Sequence, residues 1–179
     1  LSAPGARGVG GLPGVGAWGA GTEGRRGALA SPAGKPVAPQ ADTSGLTAFF
    51  PARALRGCDR FSRLALFGAC LAMEDAGVSF SGEGADLGGW GIILASGYGP
   101  VTPTLDFLDS LLDFGQSMAS PLAFSHSVHN IPAAIIAKSM GIIGPCATVC
   151  LIAHPVRSGL LRAGDWTAQG LGGRRLLRA

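Results

Sequence analysis

Charged residues are scarce in this sequence, since Asp, Glu, Lys and Arg together make up 14% of its 179 residues, and the net charge is only +3. No stretch interleaves basic residues with aromatic ones, which argues against a nucleic-acid-binding surface. Long unbroken apolar runs are missing too. The longest, residues 131–152, is interrupted by two prolines, two glycines and a lysine, so it predicts no membrane span.

Paired cysteine motifs are also missing. The four cysteines, Cys58, Cys70, Cys146 and Cys150, show no C-x-x-C spacing and lie within apolar stretches. No secretory or other targeting segment is recognisable before them. This pattern favours reduced thiols in a protein core over a disulfide framework, and we expect a cytoplasmic protein.

Glycine and proline, in contrast, are abundant, with 30 and 12 residues, while 47% of the chain is hydrophobic and the mean hydropathy is +0.35. This hydrophobicity is the opposite of the signature of disorder, so the chain is expected to bury a core. Residues 1–45 form a Gly/Pro-rich segment in which only residues 15–19 resemble a strand. Residues 46–179 are predicted to form the folded domain. Its last residues resemble the start of another strand, so we expect a domain truncated at its C-terminus.

The first regular elements are predicted by local signals. Apolar residues at three- and four-residue steps predict a helix that begins after Asp59 as its N-cap and ends at Gly77. The short apolar run of residues 90–95 is typical of a central strand buried on both faces. Thr102, followed by a proline, predicts the N-cap of a second helix that ends at Gly115.

The alternation of strand and helix continues through the second half. A helix is predicted between Asn130 and Gly141, and residues 147–152 form a second candidate for a buried strand. The pair His154 and Pro155 is expected to open a last helix that extends to about residue 169. Such alternation predicts an α/β fold with a layered sheet.

The sequence gives little support for a metal or cofactor site. His126 and His129 are three residues apart, but the sequence around them has poor helical periodicity and offers no Cys, Asp or Glu to complete a zinc site. Asp106, Asp109 and Asp113 share one helix face, which we interpret as a solvated surface. We therefore predict neither a metal nor a cofactor.

The most informative stretch is the junction between the second strand and the last helix. A side chain there faces the helix N-terminus, where free N–H groups lower the pKa of a thiol and stabilise an oxyanion. Cys150 is the only thiol nearby. It lies within the predicted strand, before the turn, so a buried, inert cysteine is the alternative to a nucleophile.

Several runs of the chain, taken together, resemble the N-terminal region of the β-ketoacyl synthases, a group that includes proteins of the chain-length-factor type. The resemblance covers about residues 9–170, and the order and spacing of the runs agree with the family. The matching runs are VGAWG at 15–19, CDRFSRLAL at 58–66, GIILASGYG at 91–99, SPLAFSHSVHNIPA at 120–133, and the Gly144-Pro145 pair before Thr148-Val149.

This resemblance implies a thiolase-like fold of two related halves, in a layered α/β/α/β/α arrangement, and usually a dimer. An active member of the family joins an acyl group to a malonyl unit that is held on acyl carrier protein. A cysteine takes the acyl group, and two histidines in the later half of the fold support decarboxylation and condensation.

The chain departs from this family pattern in two ways. The position that is similar to the family's nucleophilic cysteine is Ala153, and a methyl group cannot attack a thioester. His126, His129 and His154 do not match the family's catalytic histidines, which belong to a region beyond residue 179. The resemblance therefore implies no catalytic residue in this chain, with Cys150 as the alternative nucleophile.

The remaining site residues follow from the resemblance alone. Phe124, His126, His129 and Asn130 fall in a segment that packs near the acyl pocket and the dimer interface in the family. They are expected to line the substrate pocket or an interface.

The resulting functional expectation is a β-ketoacyl synthase-like domain of fatty acid or polyketide-type biosynthesis. It is expected to be a non-catalytic partner of an active ketosynthase subunit, in a heterodimer that works with acyl carrier protein. One alternative is a fragment of an active 3-oxoacyl-[acyl-carrier-protein] synthase, with Cys150 or a shifted alignment supplying the thiol. A second alternative is an interaction or remnant domain without any link to acyl groups.

Overall fold

The computed structural model describes residues 41–80, 87–171 and, for the backbone, 175–178. The strand expected at residues 15–19, and most of the Gly/Pro-rich segment, lie outside the described residues. After a 3-10 helix at Ser44–Ala48, the elements are α1 Arg60–Asp75, β1 Trp90–Ser96, α2 Val101–Phe114, α3 Pro121–Ser127, α4 Ile131–Met140, β2 Cys146–Cys150, α5 Pro155–Ala168 and β3 Arg175–Arg178.

Helix α1 begins where the sequence predicts it. The carboxylate of Asp59 accepts hydrogen bonds from the backbone N–H groups of Phe61, at 3.1 Å, and Ser62, at 3.2 Å. These bonds satisfy N–H groups that have no partner within the helix. Gly77 follows the helix with a φ of +65°, a left-handed conformation that favours glycine.

The described strands form a parallel sheet in the order β2-β1-β3. β1 is central and buried from Trp90 to Leu94, as predicted. β2 was expected to be buried on both faces, and this expectation is wrong, because β2 lies at the edge of the described sheet and is half-exposed along most of its length. Edge strands have a neighbour on one side only, which the local apolar pattern does not reveal.

Helices cover both faces of this sheet. Trp90, Ile92 and Leu94 of β1 point into the main core, which α1 and α4 complete with residues such as Met73 and Ile136. The opposite face, with Ile93, packs against Ala163 of α5. The described part of the chain is thus an α/β domain in which β1 is sandwiched between helical layers.

At the turn before β2, the chain packs closely against the backbone of β1. A methyl group added at Gly144 would collide with the carbonyl oxygen of Trp90. Only glycine fits there, and the next residue, Pro145, accepts a hydrogen bond from the Ile92 N–H at 2.8 Å. This contact fixes the position at which β2 joins β1.

Two features of the helices differ from the prediction. Helix α2 begins at Val101 with Pro100 at the N-cap position, so the N-cap predicted at Thr102 is wrong. Helix α3 was not predicted at all, although Ser120 caps it through a hydrogen bond from the Ala123 N–H at 3.2 Å. Pro121 in its first turn is another start signal of a helix.

Helices α2 and α3 also leave apolar side chains uncovered. The predicted apolar face of α2 exists, but Leu105 is 54% exposed and Leu112 is 81% exposed. On α3, Leu122 and Phe124 are exposed as well. We refer to these four residues as the α2–α3 apolar surface. Among the residues that the structure describes, no helix is long and apolar enough to cross a membrane.

Candidate functional site

The candidate site lies at the carboxyl ends of β1 and β2. The last pair of the parallel register joins Ser96 to Cys150, and the Ser96 carbonyl accepts a hydrogen bond from the Leu151 N–H at 3.0 Å. Both strands therefore end at the same level. Loops that follow parallel strands meet at this edge of a sheet, which is where ligands bind in α/β proteins.

The turn after β1 is fixed by its own side chain and by a glycine. The hydroxyl of Ser96 accepts a hydrogen bond from the Gly99 N–H at 2.9 Å. Gly99 has a φ of +69°, in the left-handed region. This conformation places the backbone of the turn next to the segment between α3 and α4.

The side chains of His129 and Cys150 both lie next to this glycine. A methyl group added at Gly99 would lie 2.9 Å from Nε2 of His129 and 3.5 Å from Sγ of Cys150. The imidazole ring and the thiol thus both border Gly99, although they come from the α3–α4 turn and from the end of β2. His129 itself is exposed and Cys150 is half-buried.

The Cys150 thiol donates a hydrogen bond to the carbonyl oxygen of Gly97 at 3.7 Å. Burial, with a smaller contribution from Glu74, raises the pKa of the Cys70 thiol to about 12. Desolvation also raises the pKa of Cys58 and of Cys146, although the side chain of Cys146 is exposed. A raised pKa keeps a thiol protonated to a higher pH.

Ala153 lies in the junction between β2 and α5, as the sequence predicts, and it is exposed. The next residue, His154, has a φ of +56° and is the single non-glycine residue with a positive φ in the described ranges. Pro155 then opens α5. This strained turn holds residue 153 at the start of a helix, but the residue there is an alanine, which has no acid–base or nucleophilic chemistry.

The other predicted site residues lie on the preceding segment. Phe124 packs on Phe107 of α2, with ring centroids 5.2 Å apart. His126 is half-buried in the last turn of α3, and Asn130 occupies the N-cap position of α4 without a hydrogen bond from its side chain. Of the predicted set, His129 and Cys150 both lie next to Gly99.

An open cleft of about 340 Å³ lies beside the site, between the N-termini of α1 and α2. Its lining is partly apolar, with Phe61 and Val101, and Gly99 forms part of its wall. The lining also includes the charged residues Asp59, Arg60 and Asp106. Neither His129 nor Cys150 lines the cleft. The sequence did not predict this cleft, because its lining comes from two helices that are distant in the chain.

No metal centre is found within the described ranges, where no three His, Cys, Asp or Glu side chains are grouped to hold an ion. Asp106, Asp109 and Asp113 of α2 are exposed.

No protein-family model matches this chain, and no curated protein is significantly similar to it. Solved structures do match. A β-ketoacyl synthase from Burkholderia phymatum STM815 aligns with a TM-score of 0.59 and 20% identity, over 74% of this chain and 32% of that one.

Two other structures come from polyketide systems. A type II polyketide synthase acyl-carrier protein in complex with its ketosynthase bound to the hexaketide aligns with a TM-score of 0.59 and 14% identity, over 74% of this chain and 37% of that one. The ishigamide ketosynthase/chain length factor aligns with a TM-score of 0.57 and 20% identity, over 76% and 36%. The chain spans about a third of the length of these structures. At this level of identity the likeness establishes the fold alone: over the aligned part, the chain has the α/β fold of these ketosynthase structures, as the resemblance predicted.

Proposed function

We propose that this chain is a non-catalytic, chain-length-factor-like partner of an active condensing enzyme in fatty acid or polyketide-type biosynthesis. The observation that carries this proposal is Ala153. It occupies the turn between β2 and α5, where the resemblance to β-ketoacyl synthases places the nucleophilic cysteine. Its methyl group can neither accept an acyl group nor exchange a proton.

The geometry of the junction supports this argument. His154 has a left-handed backbone and Pro155 starts a helix of 14 residues, so the free N–H groups of the first turn lie close to the junction. Such N–H groups can activate a nucleophile, and Ala153 does not provide one. A domain of this kind can still shape an acyl cavity and hold a partner.

The proposed partners are an active ketosynthase subunit, in a heterodimer, and acyl carrier protein. Two of the similar structures include an acyl-carrier protein with its ketosynthase and a ketosynthase/chain length factor. The α2–α3 apolar surface supports association, since large exposed apolar patches mark protein interfaces. The four cysteines are all free thiols, which supports the proposed cytoplasmic location.

Co-purification tests the proposal. The full chain with an affinity tag is co-expressed with the condensing enzyme and the carrier protein encoded nearest to its gene, and the eluate is analysed by native mass spectrometry. We expect a one-to-one complex with the condensing enzyme. No complex with either protein would instead support the alternative of a remnant domain without a link to acyl groups.

An assay of carbon–carbon bond formation separates the proposal from the active-synthase alternative. The purified chain is mixed with malonyl-loaded carrier protein and an acyl thioester primer. We expect no condensation product from the chain alone. A 3-oxoacyl product would show that the chain condenses by itself and would rule out the non-catalytic role.

A further inference from the structure

We propose that the exposed face of α5 pairs two copies of this chain, with the two helices antiparallel about a two-fold axis at Leu161. Three residues spaced four apart, Arg157, Leu161 and Asp165, define this face, which we call the α5 outer face. The pairing goes beyond the proposed function. It uses a different surface from the α2–α3 apolar surface, and it needs neither a ketosynthase nor acyl carrier protein.

The first observation is that α5 carries apolar side chains on its uncovered side. Within the described ranges, α5 packs on the strands of the sheet, and Gly159 and Ala163 are its buried residues. Successive residues of an α-helix are about 100° apart, so Leu161, two residues from each of them, lies on the opposite side of the helix. Leu161 is 62% exposed, and the adjacent Leu160 is 38% exposed. Apolar side chains exposed together mark a surface that binds another protein.

The second observation is the order of charges on the same face. Arg157 lies four residues before Leu161 and Asp165 lies four residues after it, so each is about 6 Å from Leu161 along the helix axis. Both side chains are exposed. In a two-fold interface, residue i of one copy contacts residue j of the other, and the reverse contact forms as well. Antiparallel pairing centred on Leu161 therefore brings each Arg157 opposite the Asp165 of the other copy, which gives two ion pairs.

This order of charges selects both the orientation and the partner. Parallel helices would place Arg157 beside Arg157 and Asp165 beside Asp165, and like charges repel. A partner of another sequence would need a base, an apolar residue and an acid at the same spacing on an exposed helix. A second copy of this chain already presents that surface, so the α5 outer face is complementary to itself.

The size of the face sets the strength of the pairing. Helix α5 has 14 residues, so the contact is about 21 Å long. One pair of helices of this length buries less surface than a standard protein interface. Exposed ion pairs add little and are screened by salt. We therefore expect a reversible dimer that forms at high protein concentration and dissociates as the salt concentration rises.

Disulfide trapping tests the position of the axis. The full chain with Leu161→Cys is oxidised mildly and mapped by mass spectrometry of non-reduced peptides. We expect a disulfide between residue 161 of two copies, because the axis brings their Cβ atoms within the reach of a disulfide. Arg162→Cys is the matched control, since residue 162 is also exposed but lies to one side of the α5 outer face. No link at residue 161, or an equal link at residue 162, would overturn the proposal.

Charge exchange tests the antiparallel order. In the Leu161→Cys chain, Arg157→Asp or Asp165→Arg alone should lower the trapped fraction roughly tenfold, because like charges then face each other. Mixing these two variants should restore trapping, and so should both substitutions in one chain, since each mixture again opposes acid to base. Equal trapping in every sample would overturn the assignment of Arg157 and Asp165. If trapping fails while the complex with a ketosynthase forms, this inference fails and the proposed function stands.

Discussion

Gly99 is the residue on which the candidate site depends. Its left-handed backbone and its contact with His129 both exclude a side chain, for two independent reasons. Gly97, two residues earlier, has open space around it and no positive φ. The same turn therefore contains one glycine that the structure requires and one that it does not.

Gly99→Ala should lower the free energy of unfolding by about 1–3 kcal/mol, because a Cβ is strained at positive φ and displaces the His129 ring. Gly97→Ala is the matched control, for which we expect a change below about 1 kcal/mol. Urea unfolding followed by circular dichroism measures both. Equal losses in the two variants would contradict the account of this turn.

The pH dependence of stability reports on Cys70. Its thiol has a pKa of about 12 in the folded chain against an ordinary value of 9.0. Since the folded pKa is the higher one, the contribution to stability is complete below pH 9 and is lost as the pH rises toward 12. The difference in unfolding free energy between the chain and Cys70→Ala should therefore shrink from pH 8.5 to 10.5, by at most about 1.4 kcal/mol per pH unit. A constant difference would contradict the burial of this thiol.

At the scale of elements, the contact with β1 holds α5, the helix that follows the junction containing Ala153. Helix α5 crosses β1 at Gly159, where an added methyl group would lie 3.1 Å from the Cβ of Ala95. Ala163, one turn later on the same helix face, is fully buried. Small residues thus let the helix lie close to the strand.

Gly159→Val should push α5 away from the sheet and lower the free energy of unfolding by about 1–3 kcal/mol. Gly164→Val, on the same helix but with open space around it, should change stability by less than about 0.5 kcal/mol. Thermal melting compares the two variants. If both melt at the temperature of the unchanged chain, the close packing of α5 on β1 is wrong.

The elements also show how far local sequence signals extend. The bounds of α1 and α4 were predictable because Asp59, Asn130 and Gly141 mark their ends, and α5 because His154-Pro155 opens it. Thr102 followed by a proline predicted a helix N-cap at Thr102, and this prediction was wrong. The similar pair Ser120-Pro121 does start α3. A residue followed by proline therefore marks a helix start only to within a turn.

The candidate site could be predicted only in part. Cys150 was identified because it lies on a continuous strand–turn–helix stretch, whereas Ala153 was identified through the resemblance to the β-ketoacyl synthases. The approach of His129 and Cys150 to Gly99 depends on the order of strands in the sheet and on the turn at Gly99, which no local spacing encodes. The exposure of β2 has the same origin, since the position of a strand within a sheet is a tertiary property.

At the scale of the whole molecule, the α2–α3 apolar surface is expected to bind a partner. Leu105, Leu112, Leu122 and Phe124 lie on two helices that pack on each other through Phe107 and Phe124. Exposed apolar patches of this kind promote association. The same surface supports the proposed heterodimer.

The chain expressed alone should therefore be oligomeric or poorly soluble. Size-exclusion chromatography with light scattering measures this state, and the double variant Leu105→Gln/Leu112→Gln should shift the chain toward monomer. A monodisperse monomer formed by the unchanged chain would contradict the role of this surface.

In the proposed role, this chain lacks the condensing nucleophile and depends on a partner for the carbon–carbon bond. Condensation by the co-purified complex tests this role after the partner's nucleophilic cysteine has been changed to alanine, with the native complex as the positive control. We expect the native complex to form a 3-oxoacyl product and the altered complex to form none. Product from the altered complex would mean that this chain performs the condensation, which would contradict the non-catalytic role.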